Sequence, residues 1–434
     1  MRSLRAIAVA CFGAFVSALS TSLVAVAAPA MARDLGTTQA GVGWVLTAYL
    51  LVVSALLATM GRLADLLGKK RVYLGGFGIF TVASFACASA PTLALLVGAR
   101  VVQGIGASML MATGPAIITR AFPPERRARA LGIQLAVTYA GLTLGPTLGG
   151  ALTSAMSWHA VFHAVAIAAA IGTAITALFL ERDAPPATTS QLDLLGSVLL
   201  AIGLAALLVG LRRGGTLLVL PVAVIALAAF VRQEARHPTP ILPPGLLATP
   251  AFGLGVVGAM LLYVVVFVLS YLLPFHLQVA RSFDPAHAGA LMTAQPATMA
   301  VVAPASGWIA DRFGPRAPSV AGMLVIAAGM WLVARGASGT DLAIASSLAV
   351  VGVGAGLYVA PNNAVIMAAA PRDRQGTAAA MAATARNVGM ACGVALAVAL
   401  HDVVGFRSAL SVAAGLALLG AVLGVVRPVG AAGA

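Results

Sequence analysis

The sequence predicts an all-α, polytopic membrane protein, and three observations carry that prediction. The chain of 434 residues is 61% hydrophobic and only 9% charged, whereas soluble domains carry about 25% charged residues. Apolar runs of about 18 to 25 residues recur along it, and each is long enough to cross a hydrocarbon core of about 30 Å as a helix. These runs do not show the alternation that is typical of membrane β-strands.

Fourteen segments are predicted to span the membrane as helices. They are residues 7–30, 41–60, 73–91, 93–118, 130–152, 158–180, 194–211, 216–231, 251–275, 286–308, 317–334, 342–369, 377–400 and 408–426. Because this number is even, both termini are expected on the same side of the membrane.

The positive charge is distributed unevenly between the two sides of the predicted membrane. Of the 26 Lys and Arg residues, 18 fall on the side of the termini, six fall on the opposite side, and Arg100 and Arg386 lie within helices. Loops rich in Lys and Arg stay in the cytoplasm, so both termini are expected there. The net charge of +14 therefore indicates membrane orientation and does not indicate a nucleic-acid partner.

The first apolar run also resembles a secretory signal. Basic residues precede it, and it ends in Ala28-Pro29-Ala30-Met31-Ala32, which is similar to a cleavage region. The run is long, however, and its removal would leave thirteen helices and disturb the charge asymmetry. We therefore expect it to be retained as the first membrane helix.

The cysteines indicate neither a disulfide framework nor a metal site. Cys11, Cys87 and Cys392 all lie within apolar runs, where small core residues are expected. No metal or other cofactor is predicted.

Two charged loops repeat along the chain. The first is Gly61-Arg62-Leu63-Ala64-Asp65-Leu66-Leu67-Gly68-Lys69-Lys70-Arg71, and the second is Gly307-Trp308-Ile309-Ala310-Asp311-Arg312-Phe313-Gly314-Pro315-Arg316. In both, a Gly stands four positions before an Asp, and another Gly follows that Asp three positions later. The repeat predicts a duplicated architecture. It resembles the loop between the second and third helices in each half of the major facilitator superfamily.

That resemblance implies a conformational latch at the charged loops, although a plain cytoplasmic turn is the alternative. Asp65 would accept backbone N–H groups at a helix start or pair with an Arg. The implied latch and coupling residues are Gly61, Asp65, Gly68, Arg71, Arg100, Asp311 and Arg312.

The end of the first helix resembles the signature of the fourteen-helix drug:proton antiporter branch of the superfamily. This stretch runs from Leu19 to Pro29. The family pattern has an Asp where Ser20 stands and an Asn where Ala25 stands. The resemblance implies that the Asp serves proton coupling, so its replacement here alters that part of the mechanism.

The fourth helix carries Arg100-Val101-Val102-Gln103-Gly104-Ile105-Gly106, which resembles the superfamily's fourth-helix motif. An Arg within an apolar helix costs at least about 2.5–3.5 kcal/mol and needs a partner or a water-filled cavity. A functional role is the default interpretation. The alternative is an Arg that reaches the interface or hydrogen-bonds to a neighbouring helix.

The fifth helix contains a glycine- and proline-rich string that resembles the antiporter motif of exporters. Its residues are Gly141, Gly145, Pro146, Gly149 and Gly150. Glycines four residues apart let helices approach closely, and the Pro bends the helix. Without the resemblance, such a face would indicate packing alone.

The two halves of the chain can be aligned through these motifs. Gly104 is followed by Gly352 after 248 residues, and Gly141 is followed by Gly389 after the same interval. Six helices with short loops need only roughly 180–200 residues, so two further helices are predicted between the halves. The predicted domains are an N-terminal six-helix bundle (1–182), two inserted transmembrane helices (183–236) and a C-terminal six-helix bundle (237–434).

Polar side chains within the apolar runs are predicted to line a cavity. Each would otherwise make a hydrogen bond between helices, worth about 0.6 kcal/mol on average. The candidates are Ser20, Tyr49, Gln103, Gln134, Tyr139, Tyr271, Gln295, Asn362, Asn363, Arg386 and Asn387.

All twelve acidic residues are predicted to lie in loops or at helix ends. Exporters of cationic drugs usually need a carboxylate near the middle of the membrane. The candidates that would replace it in proton exchange are Asp34, His163 and His276, or Asp65 acting with Arg100. With Arg100 and Arg386 as the embedded charges, a neutral, zwitterionic or anionic cargo is expected.

The sequence therefore predicts a secondary active exporter in a bacterial plasma membrane. Its expected partners are a small amphiphilic substrate, protons and the lipid bilayer; a proton gradient supplies the energy, and the oligomeric state is left open. The alternatives are a metabolite facilitator or importer of the same fold and a non-transporting membrane sensor. An enzyme is not predicted, because the sequence shows no nucleophile motif, metal-ligand spacing or phosphate loop.

Overall fold

The computed structural model describes residues 2–181, 193–210, 219–237, 244–371 and 375–428. Within these ranges every regular element is a helix. Ten of the helices described there are long and apolar enough to cross a membrane. The prediction of an all-α polytopic membrane protein is confirmed.

The first of two compact units comprises Met1–Ala201 together with Asp284–Gly289. In it, α1 packs against α4, α5 and α6, while α4 also packs against α2 and α3. The helices are α1 (Arg2–Asp34), α2 (Gln39–Leu67), α3 (Lys69–Ala88), α4 (Leu93–Ala121), α5 (Pro124–Ala155) and α6 (Trp158–Phe179).

The second unit comprises Ile202–Phe283 and Ala290–Ala434. The division between the units falls within α7 (Leu194–Gly210) and α11 (Pro285–Met292). The other helices are α8 (Val219–Arg236), α9 (Pro244–Leu247), α10 (Pro250–Phe275) with a π-helical extension (His276–Ala280), α12 (Ala294–Phe313), α13 (Arg316–Gly336), α14 (Asp341–Ala368) and α15 (Gln375–Val426).

Each of the fourteen predicted spans overlaps a described helix, with two differences in continuity. The span predicted at 286–308 is divided between α11 and α12, because Pro296 has no amide hydrogen to continue the helical bonding. The last two predicted spans follow each other within α15, which consists of two helices that meet at a kink at Gly405, where φ is +75°. The predicted domain boundary at 182–183 lies outside the described residues.

Glycine pairs make equivalent close helix crossings in the two units. A Cβ atom on Gly106 would lie 2.7 Å from the carbonyl oxygen of Gly76, where α3 crosses α4. A Cβ atom on Gly354 would lie 2.6 Å from the carbonyl oxygen of Gly322, where α13 crosses α14. Gly106 and Gly354 are related by the 248-residue interval found in the sequence, so the same small-residue packing is used twice.

The second glycine of each charged loop ends a helix. Gly68 follows α2 with φ +95°, and Gly314 follows α12 with φ +82°. This backbone region is accessible to glycine at little cost and is strained for other residues. In both units, therefore, the second glycine of the repeat is explained by the backbone conformation needed where the helix ends.

The two additional helices predicted between the halves correspond in position to α7 and α8. Neither is among the ten described helices that are long and apolar enough to cross a membrane, and α7 is a shorter apolar helix, so their insertion as transmembrane helices stays a prediction. Gly203 in α7 packs directly against Leu227 in α8, and Gly210 packs against Leu220. At the other end of α7, the hydroxyl of Ser197 hydrogen-bonds to that of Thr59 in α2. Glycine thus permits a close helical hairpin at this point of the chain.

Candidate functional site

The side chain of Arg100 forms the centre of a buried polar cluster in the first unit. Arg100 lies in the second turn of α4 and its exposed fraction is 0%. Its Nε donates a hydrogen bond to the carbonyl oxygen of Val45 at 2.9 Å. One end of the guanidinium is therefore held by the backbone of α2.

The remaining contacts of Arg100 are with neutral groups. Its Nη1 donates to Oε1 of Gln103 and, at 3.4 Å, to Oγ of Ser20, while the Tyr49 ring centre lies 4.1 Å from its guanidinium carbon. Gln103 in turn donates to Oγ of Ser84 at 2.6 Å. Among the described residues, Nη2 of Arg100 has no hydrogen-bond partner. A buried cation with an open donor is suited to binding an acceptor or an anion.

Ser20 is the residue of α1 that contacts this cluster, and its side chain carries no charge. It is fully buried on α1 and faces Arg100 across the 3.4 Å contact. In the antiporter signature this position is an Asp, which here would pair with the guanidinium. The serine leaves the positive charge of Arg100 without that neutralising carboxylate.

The glycine string of α5 packs against the stretch of α1 that carries Ser20. A Cβ atom on Gly141 would lie 2.8 Å from the carbonyl oxygen of Phe15, and one on Gly149 would lie 2.8 Å from that of Leu23. Gly145 lies between them and packs against Ser22. The three glycines therefore bring α5 into backbone contact with α1 on both sides of Ser20.

The end of the same string contacts the segment Asp284–Gly289, which belongs to the first unit. Gly150 packs against the backbone of Pro285, and Gly289 packs against the carbonyl oxygen of Pro146. One turn further along α5, the hydroxyl of Ser154 donates to the Asp284 carboxylate at 2.7 Å. All five residues of the string thus lie at close backbone contacts.

The stretches predicted as charged loops are mostly helical, because α2 continues to Leu67, α3 begins at Lys69 and α12 continues to Phe313. Asp65 is in the last turn of α2, rather than at a helix start, and it forms an ion pair with Lys69 at 3.2 Å. Arg71, Asp311 and Arg312 are exposed, and a Cβ atom on Gly61 would meet Ala112 at 3.8 Å, an ordinary van der Waals distance. The latch role of both loops stays a prediction.

The three candidate protonation residues lie in different settings. Asp34 accepts a hydrogen bond from the Trp158 indole at 2.8 Å, which ties the end of α1 to the start of α6. His163 is exposed, and its Nδ1 lies 3.1 Å from the carbonyl oxygen of His159. The His276 ring is half-buried and stacks on Phe406 with centroids 4.1 Å apart. Their roles in proton exchange stay predictions.

Two of the predicted polar residues form related hydrogen bonds between helices. Gln134 donates to the carbonyl oxygen of Ala10 in α1 at 3.4 Å. Asn362 donates to that of Gly255 in α10 at 3.0 Å, and its Oδ1 accepts from Arg427 at 2.6 Å. In each unit a buried amide therefore binds the backbone of a long packed helix.

The other polar residues predicted to line a cavity are buried or half-buried, and a cavity-lining role for them stays a prediction. Tyr271, Gln295 and Asn387 are buried, and Asn387 donates to the Ala383 carbonyl of its own helix at 3.0 Å. Tyr139, Asn363 and Arg386 are half-buried.

Burial of three charged residues at helix ends was not anticipated from the sequence. Asp193 and Glu234, which flank the α7–α8 hairpin, each have an exposed fraction of 2%. Asp193 accepts a hydrogen bond from the amide of Gly196 at 2.8 Å and so caps α7. Arg427, after the end of α15, is also buried, and burial lowers the pKa of its guanidinium.

Asn362→Ala is expected to destabilise the second unit. It removes the acceptor of Arg427 and leaves a buried guanidinium and the Gly255 carbonyl without that partner, a loss of about 1.5–3 kcal/mol for a hydrogen bond to a charged group. Thermal unfolding of the purified protein measures the change, with Asn363→Ala as the neighbouring control. Equal melting temperatures for the two variants would show that the Asn362 bonds contribute nothing to stability.

The profile described as Major Facilitator Superfamily matches residues 10–261 and 255–432. The chain belongs to this superfamily. As a member it is a multi-span membrane transporter for small-molecule substrates, and the resemblance found in the sequence motifs is confirmed.

Similar proteins of this superfamily include transporters and exporters. The chain is 31% identical over 390 residues to the riboflavin transporter RibZ of Clostridioides difficile, covering 89% of this chain and 85% of that protein. It is 30% identical over 393 residues to the tetracenomycin C resistance and export protein of Streptomyces glaucescens, covering 88% and 73%. Other relatives at about this identity include multidrug and antibiotic resistance proteins.

A solved structure supports the fold alone. The chain resembles the crystal structure of a peptide transporter of the POT family, with a TM-score of 0.73 and 16% sequence identity. The likeness covers 96% of this chain and 93% of that one. The major facilitator fold predicted from the two charged loops is thus confirmed.

Proposed function

We propose that this protein exports hydrophobic or amphiphilic small molecules, including antibiotics, by proton-coupled antiport and alternating access. It acts in a bacterial plasma membrane with both termini in the cytoplasm. Its preferred cargo is neutral, zwitterionic or anionic. The export relatives and the antiporter string of α5 support the direction, and the positive-inside distribution of Lys and Arg supports the orientation.

The observation that carries the cargo assignment is the neutral environment of Arg100. Its described partners are the Val45 carbonyl, the Ser20 hydroxyl and the Gln103 amide, and its Nη2 donor is open. A permanent cation would be repelled by this charge, whereas an acceptor or anion would satisfy it. The family's usual Asp would reverse that preference.

Proton coupling is assigned to groups other than the absent first-helix Asp. The remaining candidates are Asp34 and Asp65, which are exposed carboxylates at opposite ends of the first unit's helices, and the imidazoles of His163 and His276. Protonation at one of these sites would couple to the conformational cycle without placing a carboxylate beside the cargo.

A second function is favoured by the similarity to RibZ. A facilitator or importer of a polar, heteroaromatic metabolite would also use Arg100 as a donor to uncharged acceptors. In that case the glycine face of α5 would serve packing only. Export and import differ in the direction in which the cargo accumulates, which an experiment distinguishes.

Cargo accumulation in efflux-deficient bacteria tests the proposed function. Cells that express the protein are expected to accumulate less of a neutral or anionic dye than vector controls, and a protonophore is expected to remove the difference. Expression that raises accumulation, or a difference that persists with the protonophore, would contradict proton-driven export.

A matched pair of valine variants on α5 links the activity to the fold. Gly149→Val is expected to abolish export, because its Cβ would lie within 2.8–3.3 Å of the Leu23 backbone and such overpacking costs about 1–3 kcal/mol or more. Gly132 lies on the same helix, and a Cβ atom built there would have no neighbouring atom within 4 Å. The Gly132→Val variant is therefore expected to export normally. Membrane abundance and size-exclusion profiles are measured for both variants. Wild-type export by Gly149→Val would show that this packing is dispensable.

A further inference from the structure

Four helix ends of the first unit enclose a basic cavity of about 340 Å³. The starts of α1 and α3 and the ends of α4 and α6 line it. Its charged side chains are Arg5, Lys69, Lys70, Arg120 and Glu181. Four basic groups and one acidic group give the lining a net formal charge of +3, and the ion pair of Lys69 with Asp65 beside it still leaves a net positive charge that attracts an anion.

Specific contacts between the helices hold the walls of this cavity together. Lys70 donates from Nζ to the carbonyl oxygen of Ala177 at 3.0 Å and also to that of Leu180, so the start of α3 is joined to the end of α6. Ser3 donates to the carbonyl oxygen of Ala121 at 2.8 Å, which joins the start of α1 to the end of α4. The walls of the cavity are therefore held in place by hydrogen bonds between the helices of the folded unit.

Apolar side chains lie beside the basic ones. Ala6, Ile117 and Phe179 contribute to the lining, and the guanidinium carbon of Arg5 lies 5.9 Å from the centre of the Phe179 ring. The cavity sits where helices long enough to span a membrane end, at the level expected for lipid headgroups. A ligand that fits both parts has an anionic group attached to an apolar body.

We propose that this cavity binds the phosphate group of an anionic glycerophospholipid. The phosphate would contact Arg5 and Arg120, which are exposed at its mouth, and the glycerol and upper acyl chains would lie against Ile117 and Phe179. Basic pockets between membrane helices are suited to such headgroups. The orientation expected from the positive-inside rule places the site in the cytoplasmic leaflet. The lipid would join the ends of four helices of one unit.

Lipid retention on the purified full-length protein tests this site. Native mass spectrometry would measure how much phosphatidylglycerol and how much phosphatidylcholine stay bound to each of three proteins. These are the wild type, the cavity variant Arg5→Gln/Arg120→Gln and the control variant Arg126→Gln/Arg129→Gln. The control removes two exposed charges of α5 that lie outside the cavity. Wild type and control are expected to retain phosphatidylglycerol, and the cavity variant is expected to bind it about tenfold more weakly.

Two further measurements show whether the bound phosphate belongs to a lipid and whether the variants are folded. Inorganic phosphate alone is expected not to displace the bound lipid, and thermal unfolding is expected to show that both double variants remain folded. Equal loss of phosphatidylglycerol in the cavity and control variants would overturn the site. Saturation by inorganic phosphate without preference for phosphatidylglycerol would overturn the lipid assignment.

Discussion

Arg100→Gln is expected to weaken export of neutral and anionic cargo by about ten- to hundredfold while the protein stays folded. The change removes the buried charge of α4 and its open Nη2 donor. Loss of one charge-assisted hydrogen bond to the cargo corresponds to about 1.5–3 kcal/mol, or about ten- to hundredfold in apparent affinity. Efflux of neutral, anionic and cationic dyes from efflux-deficient cells measures the effect.

Arg100→Lys is the matched control for the positive charge. Lysine keeps the charge but cannot reproduce the planar set of donors that reaches Val45, Ser20 and Gln103, so intermediate export is expected. The size-exclusion profile of each variant confirms folding. A folded Arg100→Gln protein that exports all dyes at the wild-type rate would exclude Arg100 from cargo binding.

Ser20→Asp is expected to change the preferred cargo from neutral or anionic molecules to cations. The introduced carboxylate would lie where the Ser20 hydroxyl now faces Arg100 at 3.4 Å, so it would neutralise the cluster and offer an exchangeable proton site. Export of monocationic dyes is expected to rise by about tenfold or more, as for one charge-assisted contact. Export of anionic dyes is expected to fall.

Ser20→Asn separates charge from size in this experiment. Asparagine has nearly the shape of aspartate but carries no charge, so it is expected to leave cation export at the wild-type level. Because the residue is fully buried, thermal unfolding of both variants is measured alongside transport. Equal dye profiles for the two variants would show that a carboxylate at this position does not determine cargo charge, and would favour the sensor or facilitator interpretation.

Helix positions were predictable because membrane thickness imposes a length on each apolar run. The repeated charged stretches were predicted as loops between helices, but most of each is helical and the chain turns only around Gly68 and Gly314, whose positive φ favours glycine. The 248-residue interval aligned the two halves of the chain correctly because it relates glycines with the same packing role. Gly106 and Gly354 both lie at close helix crossings where a Cβ atom would not fit, so the same packing requirement places a glycine at both positions.

Contacts between helices were less predictable. The embedded position of Arg100 follows from its apolar surroundings, but its contacts with Val45 and Ser84-bound Gln103 depend on helix rotation, which residue spacing does not determine. Burial of Arg427 was missed because a basic residue after a last membrane helix normally lies at the interface. In the structure the Arg427 side chain is buried and donates a hydrogen bond to Asn362.

Transport by the purified protein in proteoliposomes under an imposed pH gradient tests proton-coupled export most directly. We predict that a neutral or anionic amphiphile accumulates against its own gradient, in the direction opposite to proton flow, and that collapsing the pH gradient stops the accumulation. Arg100→Gln liposomes serve as the reference with weakened transport. Equilibration of the amphiphile at the same rate with and without the pH gradient would contradict the account and identify a facilitator.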